Sequence, residues 1–445
     1  MRMIHRRPSR SAALAAVLAV AFAAPAAAGD VEIEIGQTEW ELRPGLTTRA
    51  WSYGGTVPGR PIVVRPGERV RVTVTNRLPV ATNIHWHGLV LPNDQDGPSL
   101  TIEPGAVFRY DFTAGESGTY WYHPHRMPVL PQLDRGLAAP FIVLAPEDAL
   151  YDGDHTFVLD DWLLDSRGDR LEGTSRQEME RYGNVETVNG KTGDAVAPLR
   201  VRAGQIHKLR FINASTAAFH ELTVSGHRLR VTHLDGHPLQ RPYETDRIDL
   251  APGERVDAEL FASRHEGERY EIASSRRELG LVIPILYGPG SVPASVSPFR
   301  PPAPEAPASV PARPDQELVL SSGMGGMMGP GGMQWTIDGR AFPRTRPIEV
   351  RVGVPRTLRI YNRDHMSMMM GHRMDHPIHV HGTKFRVLSV NGIAPDQPIW
   401  KDTIPVPLGG YVDISFVMEN PGDWMFHCHI IDHEDGGMMT FVRAR

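Results

Sequence analysis

The chain has 445 residues, 47 basic and 52 acidic side chains, and one cysteine. That balance excludes the basic footprint of a nucleic-acid binder. The lone cysteine excludes an intramolecular disulfide and any multi-cysteine zinc or iron–sulfur site. Gly and Pro, at 43 and 39 residues, exceed the usual share without reaching a low-complexity composition, so the chain reads as folded and turn-rich.

Residues 1–10 are basic, 11–24 are almost all Ala, Leu and Val, and Ala26-Ala27-Ala28 precedes Gly29. This layout predicts a cleaved export signal over 1–28. Its apolar run falls short of the ~20 residues needed to span a membrane. Arg6-Arg7 points to the twin-arginine route. Without this leader 43 basic side chains face 52 acidic ones. The expectation is an exported protein, periplasmic or extracellular, with no membrane anchor.

Beyond the leader the chain repeats itself three times. Arg65, Arg202 and Arg351 each open a strand-like run that ends eleven residues later at Asn76, Asn213 and Asn362. A turn then precedes an alternating strand: Pro104-Gly105 before Phe108, Pro252-Gly253 before Val256, and Gly409-Gly410 before Val412. Period-two alternation between Gly/Pro turns predicts half-buried antiparallel strands. The fold class is all-β, as three Greek-key β-sandwiches. Their expected bounds are 30–147, 155–288 and 315–445, with a Pro-rich linker over 289–314 that is extended because proline cannot form a ladder.

The first sandwich holds His85-Trp86-His87 and His123-Pro124-His125. The third holds His379-Val380-His381 and His427-Cys428-His429, and the middle one holds no such pair. On a strand, residues two apart share a face, so each pair presents two imidazoles side by side. Imidazole suits copper, zinc, iron or nickel. The economical arrangement puts the first and third sandwiches face to face with eight histidines between them. Alternation sends the Cys428 side chain to the opposite face. With His376, His433 and Met438 it makes a His₂Cys(Met) set, the blue-copper electron-transfer pattern. The cysteine backbone would link that site directly to His427 and His429. Eight imidazoles would serve three further metals and leave open positions for O2.

The motifs His85-Trp86-His87-Gly88, Tyr122-His123-Pro124-His125, His376-Pro377-Ile378-His379-Val380-His381-Gly382 and His427-Cys428-His429, continuing through His433 to Met438, closely resemble those of the three-domain multicopper oxidases, in their bacterial laccase and cuprous-oxidase branch. The resemblance implies cupredoxin-like sandwiches and four copper ions. It implies that His376, Cys428, His433 and Met438 hold a type 1 copper, and His85 and His379 a type 2 copper. His87, His123 and His429 would hold one type 3 copper and His125, His381 and His427 the other. It also implies proton-supplying roles for Asp96, near the type 2 copper, and Glu434, near the type 3 pair. Arg126-Met127-Pro128, after His125, departs from the family's common His-Gly.

Methionines gather in two places. One stretch holds Met324, Met327, Met328 and Met333 among glycines; the other holds Met366, Met368, Met369, Met370 and Met374 just before Asp375 and His376. Both read as loops. Thioethers favour Cu(I), so the second group, with Asp375, is a candidate Cu(I) substrate site, and Asp375 is also a candidate to orient His376. The expected enzyme is a monomeric multicopper oxidase that oxidises Cu(I) or phenols, reduces O2 to water, and serves copper tolerance. The alternatives are a general laccase acting on phenols and aryl amines, and a copper-sequestering protein without turnover.

Overall fold

The computed structural model describes residues 30–171, 181–306, 309–310, 312–324, 333–364 and 374–445. The expected leader, and Met327, Met328, Met366, Met368, Met369 and Met370, lie outside the described residues.

Six sheets pair into three sandwiches. In the first, Leu46–Tyr53, Asp30–Arg43, Arg69–Asn76 and Val107–Thr113 form one sheet, and Ile62–Val64, Ala139–Val143, Gly118–His123 and His85–His87 the other. The middle and third sandwiches each pair a six-stranded with a five-stranded sheet. Alternation drives this packing: in Arg69–Asn76 every second side chain, from Val70 to Asn76, is buried. Each sandwich closes its own apolar core.

The sheets are mixed, not purely antiparallel. Asp30–Arg43 pairs parallel with Arg69–Asn76, and the same arrangement recurs between Gly153–Trp162 and Ile206–Asn213 and between Gln316–Met324 and Arg356–Asn362. The chain crosses to the opposite sheet and returns before making these pairs. Alternation reads the same in either direction, so the sequence could not show it.

The repeated asparagine ends this second strand in all three units. Each is fully buried. Each side-chain amide donates to two backbone carbonyls: Asn76 to Val80 and Ile102, Asn213 to Ala218 and Leu250, Asn362 to Met374 and Val406. Each side-chain oxygen accepts the amide two residues on. One side chain thus satisfies three buried backbone groups where the strand gives way to a loop.

The Pro-rich connection is strapped down. Phe299 is buried with its ring edge-on to His233 at 5.2 Å, and the Trp400 indole donates to Glu305 at 3.2 Å. Among the described residues no helix is long and apolar enough to cross a membrane.

Candidate metal centre

In the first sandwich His85–His87 lies antiparallel to Gly118–His123, with His85 opposite His123. In the third, His376–Val380 lies against Gly422–Cys428, with His379 opposite His427. The two imidazole-bearing faces meet. Rings of His85 and His381 stack at 3.6 Å, and rings of His87 and His379 at 3.8 Å. All eight imidazoles are buried.

The Nε2 atoms of His125, His381 and His427 lie 3.1–3.2 Å from one another, and those of His85 and His379 3.2 Å apart. Metal–nitrogen bonds of about 2.0 Å at an angle near 100° would produce this spacing. The outer nitrogens set the tautomers. His379 Nδ1 donates to the Asp402 carbonyl at 2.9 Å, and His427 and His123 Nδ1 donate to the carbonyls of Cys428 and Pro124 at 3.0 Å. A carbonyl can only accept, so each of these rings turns a bare Nε2 inward. His87 is reversed. Its Nε2 lies 3.1 Å from Asp402 Oδ1, and its Nδ1 has no hydrogen-bond partner. Neither nitrogen of His429 has one, and its ring lies 5.0 and 5.4 Å from those of His87 and His123. Buried nitrogens without partners are costly, and a metal satisfies them. Burial first, and neighbouring imidazoles second, hold His85, His87, His123, His381 and His429 well below the usual histidine range. They are neutral, the form that binds metal.

Cys428 points the other way, into the third core. Its Sγ lies 3.4 Å from His433 Nδ1 and 3.7 Å from His376 Nδ1, and these two nitrogens are 3.2 Å apart. The helix Ile431–Asp435 returns His433 to this face. Met438 is buried, and its carbonyl accepts the Cys428 amide at 3.1 Å. A soft thiolate with two imidazoles beside a thioether-bearing residue is a donor set suited to copper.

Sequence profiles of the multicopper oxidase family match residues 34–148, 153–282 and 311–445. The chain is 31% identical to Multicopper oxidase MmcO of Mycobacterium tuberculosis over 432 residues, 87% of this chain and 82% of the relative. The chain belongs to the multicopper oxidase family. Among solved structures it is similar to a laccase from Pediococcus acidilactici (27% identity, 94% of this chain and 89% of that one, TM-score 0.80). It is also similar to a multicopper oxidase from Campylobacter jejuni described as a metallo-oxidase (26% identity, 93% and 91%, TM-score 0.76).

As a multicopper oxidase the chain is a copper-dependent oxidoreductase, and its cluster is bordered by acids. Asp96, at the end of the short helix Asn93–Asp96, is buried. Its Oδ1 accepts His85 Nδ1–H at 2.8 Å and the Trp86 amide at 2.9 Å. Burial raises its carboxyl well above the usual range, only partly offset by the Trp86 amide, so it can hold a proton. Glu434 is equally buried, 3.4 Å from His125 Nδ1 and 3.1 Å from His427 Nδ1. Asp96→Asn keeps an acceptor for both Oδ1 bonds and removes the exchangeable proton. We expect kcat to fall about 10- to 100-fold with copper content and melting temperature near wild type, as read by oxygen uptake and metal analysis.

Asp375 does not orient His376. It accepts the Leu408 amide at 2.9 Å, and the acid facing His376 Nε2 is Asp364, at 3.6 Å. Asp364 follows Asn362 by two residues, and its amide is the one that asparagine accepts. Trp335, stacked on His433 at 3.6 Å, was also missed; it lies two residues beyond Met333 and carries no motif. Met324 and Met333 are not loop residues. They pair as the last partners of a hairpin, Gln316–Met324 with Met333–Ile337. Met374 is buried in the third core.

Proposed function

We propose that this multicopper oxidase is an exported, monomeric cuprous oxidase acting in copper tolerance, outside the cytoplasm in the periplasm or beyond it. It would carry four coppers: type 1 on His376, Cys428, His433 and Met438; type 2 on His85 and His379; and a type 3 pair on His87, His123 and His429 and on His125, His381 and His427. Bound copper supplies one-electron oxidation at the type 1 site and four-electron reduction of O2 at the cluster, so that four Cu(I), one O2 and four protons give four Cu(II) and two waters. Asp96 holds and delivers a proton beside His85, and Glu434 relays protons beside His125 and His427.

The observation that carries the Cu(I) reading is where the Met-rich stretches are rooted. The hairpin that enters the first at Met324 and leaves it at Met333 continues to Trp335, stacked on His433. The second begins after Asp364, which faces His376, and ends at Met374, two residues before His376. Ser322 hydrogen-bonds Asp364 and so ties the two roots together. Both stretches are therefore flanked in sequence by residues that touch the two imidazoles beside Cys428 or bind one another next to them. The Campylobacter jejuni relative described as a metallo-oxidase is consistent with a metal ion as substrate.

The test is oxygen uptake by copper-loaded protein with Cu(I) and, separately, a simple phenol. Uptake at one O2 per four Cu(I), faster than with phenol, is expected. Replacing Met366, Met368, Met369 and Met370 together by Ser should lower Cu(I) oxidation about tenfold, removing roughly 1.4 kcal/mol of substrate interaction, while phenol oxidation persists. Faster phenol turnover in the unmodified protein would make it a laccase. Copper-loaded protein that consumes no oxygen would make it a sequestering protein.

A further inference from the structure

The middle sandwich carries none of the His-x-His pairs, yet its Arg255 side chain reaches Asp402 at the edge of the cluster. Arg255 opens the strand Arg255–Phe261 and is fully buried. It follows the turn Pro252-Gly253, the middle unit's version of the repeated turn. In the first unit the turn Pro104-Gly105 leads instead to Val107, which is 61% exposed.

All five N–H groups of the Arg255 guanidinium are used. Nε donates to the Thr119 carbonyl at 3.1 Å. Nη1 donates to the Gly253 carbonyl at 3.2 Å and to Asp402 Oδ1 at 2.7 Å. Nη2 donates to the Asp235 carbonyl at 3.0 Å and to Asp402 Oδ2 at 2.5 Å. Thr119 belongs to the first sandwich, Gly253 and Asp235 to the middle one, and Asp402 to the third. One planar fork therefore joins all three.

Asp402 is the junction with the metal centre. Its Oδ1 faces His87 Nε2 at 3.1 Å, its carbonyl accepts His379 Nδ1–H at 2.9 Å, and its neighbour Thr403 lies 3.1 Å from each of these histidines. With Asp402 fixed, His87 carries its proton on Nε2 and turns Nδ1 inward, opposite to its neighbours. The backbone has made room for this. A Cβ at Gly88 would lie 2.5 Å from Arg255 Nη2 and 2.6 Å from Asp402 Oδ2. A Cβ at Gly253 would lie 2.8 Å from His429 Cδ2. The glycine that closes His85-Trp86-His87-Gly88 is thus required by the fork, and the middle sandwich's backbone packs against a cluster ring.

We propose that Arg255 is a positioning residue of the copper cluster: through Asp402 it sets the tautomer and orientation of His87 and the seat of His379. The planar fork, rather than the charge alone, does this. Lysine offers three donors from a single point and cannot reproduce two parallel bonds to a carboxylate while holding three carbonyls. The inference rests on the copper reading of the site, and its test separates the two.

The experiment compares wild type, Arg255→Lys, Asp402→Asn and the double variant, each reconstituted with copper. The readouts are copper content after competition with a chelator, the type 2 electron paramagnetic resonance signal, and the blue band of the type 1 copper. Both single variants should keep the blue band, whose ligands lie wholly within the third sandwich. Both should lose cluster copper about 10- to 100-fold more readily than wild type and show an altered type 2 signal. The double variant should be no worse than the weaker single one, because both act along one path. Cluster affinity within twofold of wild type and an unchanged type 2 signal in Arg255→Lys would overturn the proposal, and so would additive losses. Should Arg255→Lys yield no folded protein, Asp402→Asn decides, since the path runs through that carboxylate: impaired cluster loading supports the proposal and normal loading overturns it. Wild-type protein that binds no copper would overturn the copper reading instead.

Discussion

Cys428→Ser is expected to abolish the intense blue band of the copper-loaded protein and to lower oxygen uptake with either Cu(I) or phenol at least about a thousandfold, some 4 kcal/mol in the barrier. Cys428 is the chain's sole cysteine, so no other thiolate can replace it. Its Sγ sits 3.4 and 3.7 Å from the two imidazoles of its site, in a pocket closed by the third core. A serine hydroxyl is a hard donor that stays protonated at neutral pH, and it would leave two imidazoles and a thioether residue without the soft anion that selects copper. The eight imidazoles on the opposite face keep their backbone, so cluster copper and the circular dichroism spectrum should be retained. A blue, active serine variant would show that the pocket around Cys428 is not where the reductant's electron enters.

Removing copper should be the second large effect. Eight buried imidazoles from two sandwiches converge on the cluster, and an ion bound there stabilises only the folded, docked state. Each ion held at a hundredfold excess over its Kd contributes about 2.7 kcal/mol. Three such ions should raise the melting temperature by roughly 10–20 °C over the copper-free protein, as scanning calorimetry would read. The copper-free form should also be acid-sensitive. Burial lowers His125 to about 4 and holds five other cluster imidazoles well below the usual range. Above pH ~6.5 these rings are neutral whether folded or unfolded, and their contribution is fully present. Below that, the unfolded chain takes up protons that the folded chain refuses. Stability is therefore lost as pH falls from ~6.5 towards 4, by up to about 1.4 kcal/mol per pH unit for each ring. A copper-free protein whose melting temperature is flat across that window would contradict this account.

Much of the site was legible because strand alternation is a strong constraint. His85 and His87 must share a face, and Cys428 must oppose His427 and His429, whatever the surrounding fold. The repeated asparagines were legible as marks of a threefold repeat, but their role as buried anchors was not, because it depends on carbonyls up to 44 residues away. Parallel pairing was not, because alternation carries no direction. Asp364, Asp402 and Arg255 were not, because each acts through a partner distant in sequence and none stands in a local motif. An arginine opening a strand in the sandwich without His-x-His pairs looks like any surface residue until the fold brings Asp402 against it. Asp375 misled for the converse reason: adjacency to His376 in sequence put its side chain beside a different backbone amide.

The division of the cluster between the first and third sandwiches also dictates an order of assembly. Between His125 and His379 lies the whole middle sandwich, so joining the two halves closes a loop of 253 residues, at an entropic cost of about 5 kcal/mol. Until that loop closes, each half is an open set of four imidazoles. Either one would chelate copper in a geometry foreign to the finished site, or bridge to the complementary half of another molecule. The topology therefore favours a chain that folds first and is metallated second. The strapped linker and the Arg255 fork, which draw the halves together without metal, make that sequence of events attainable.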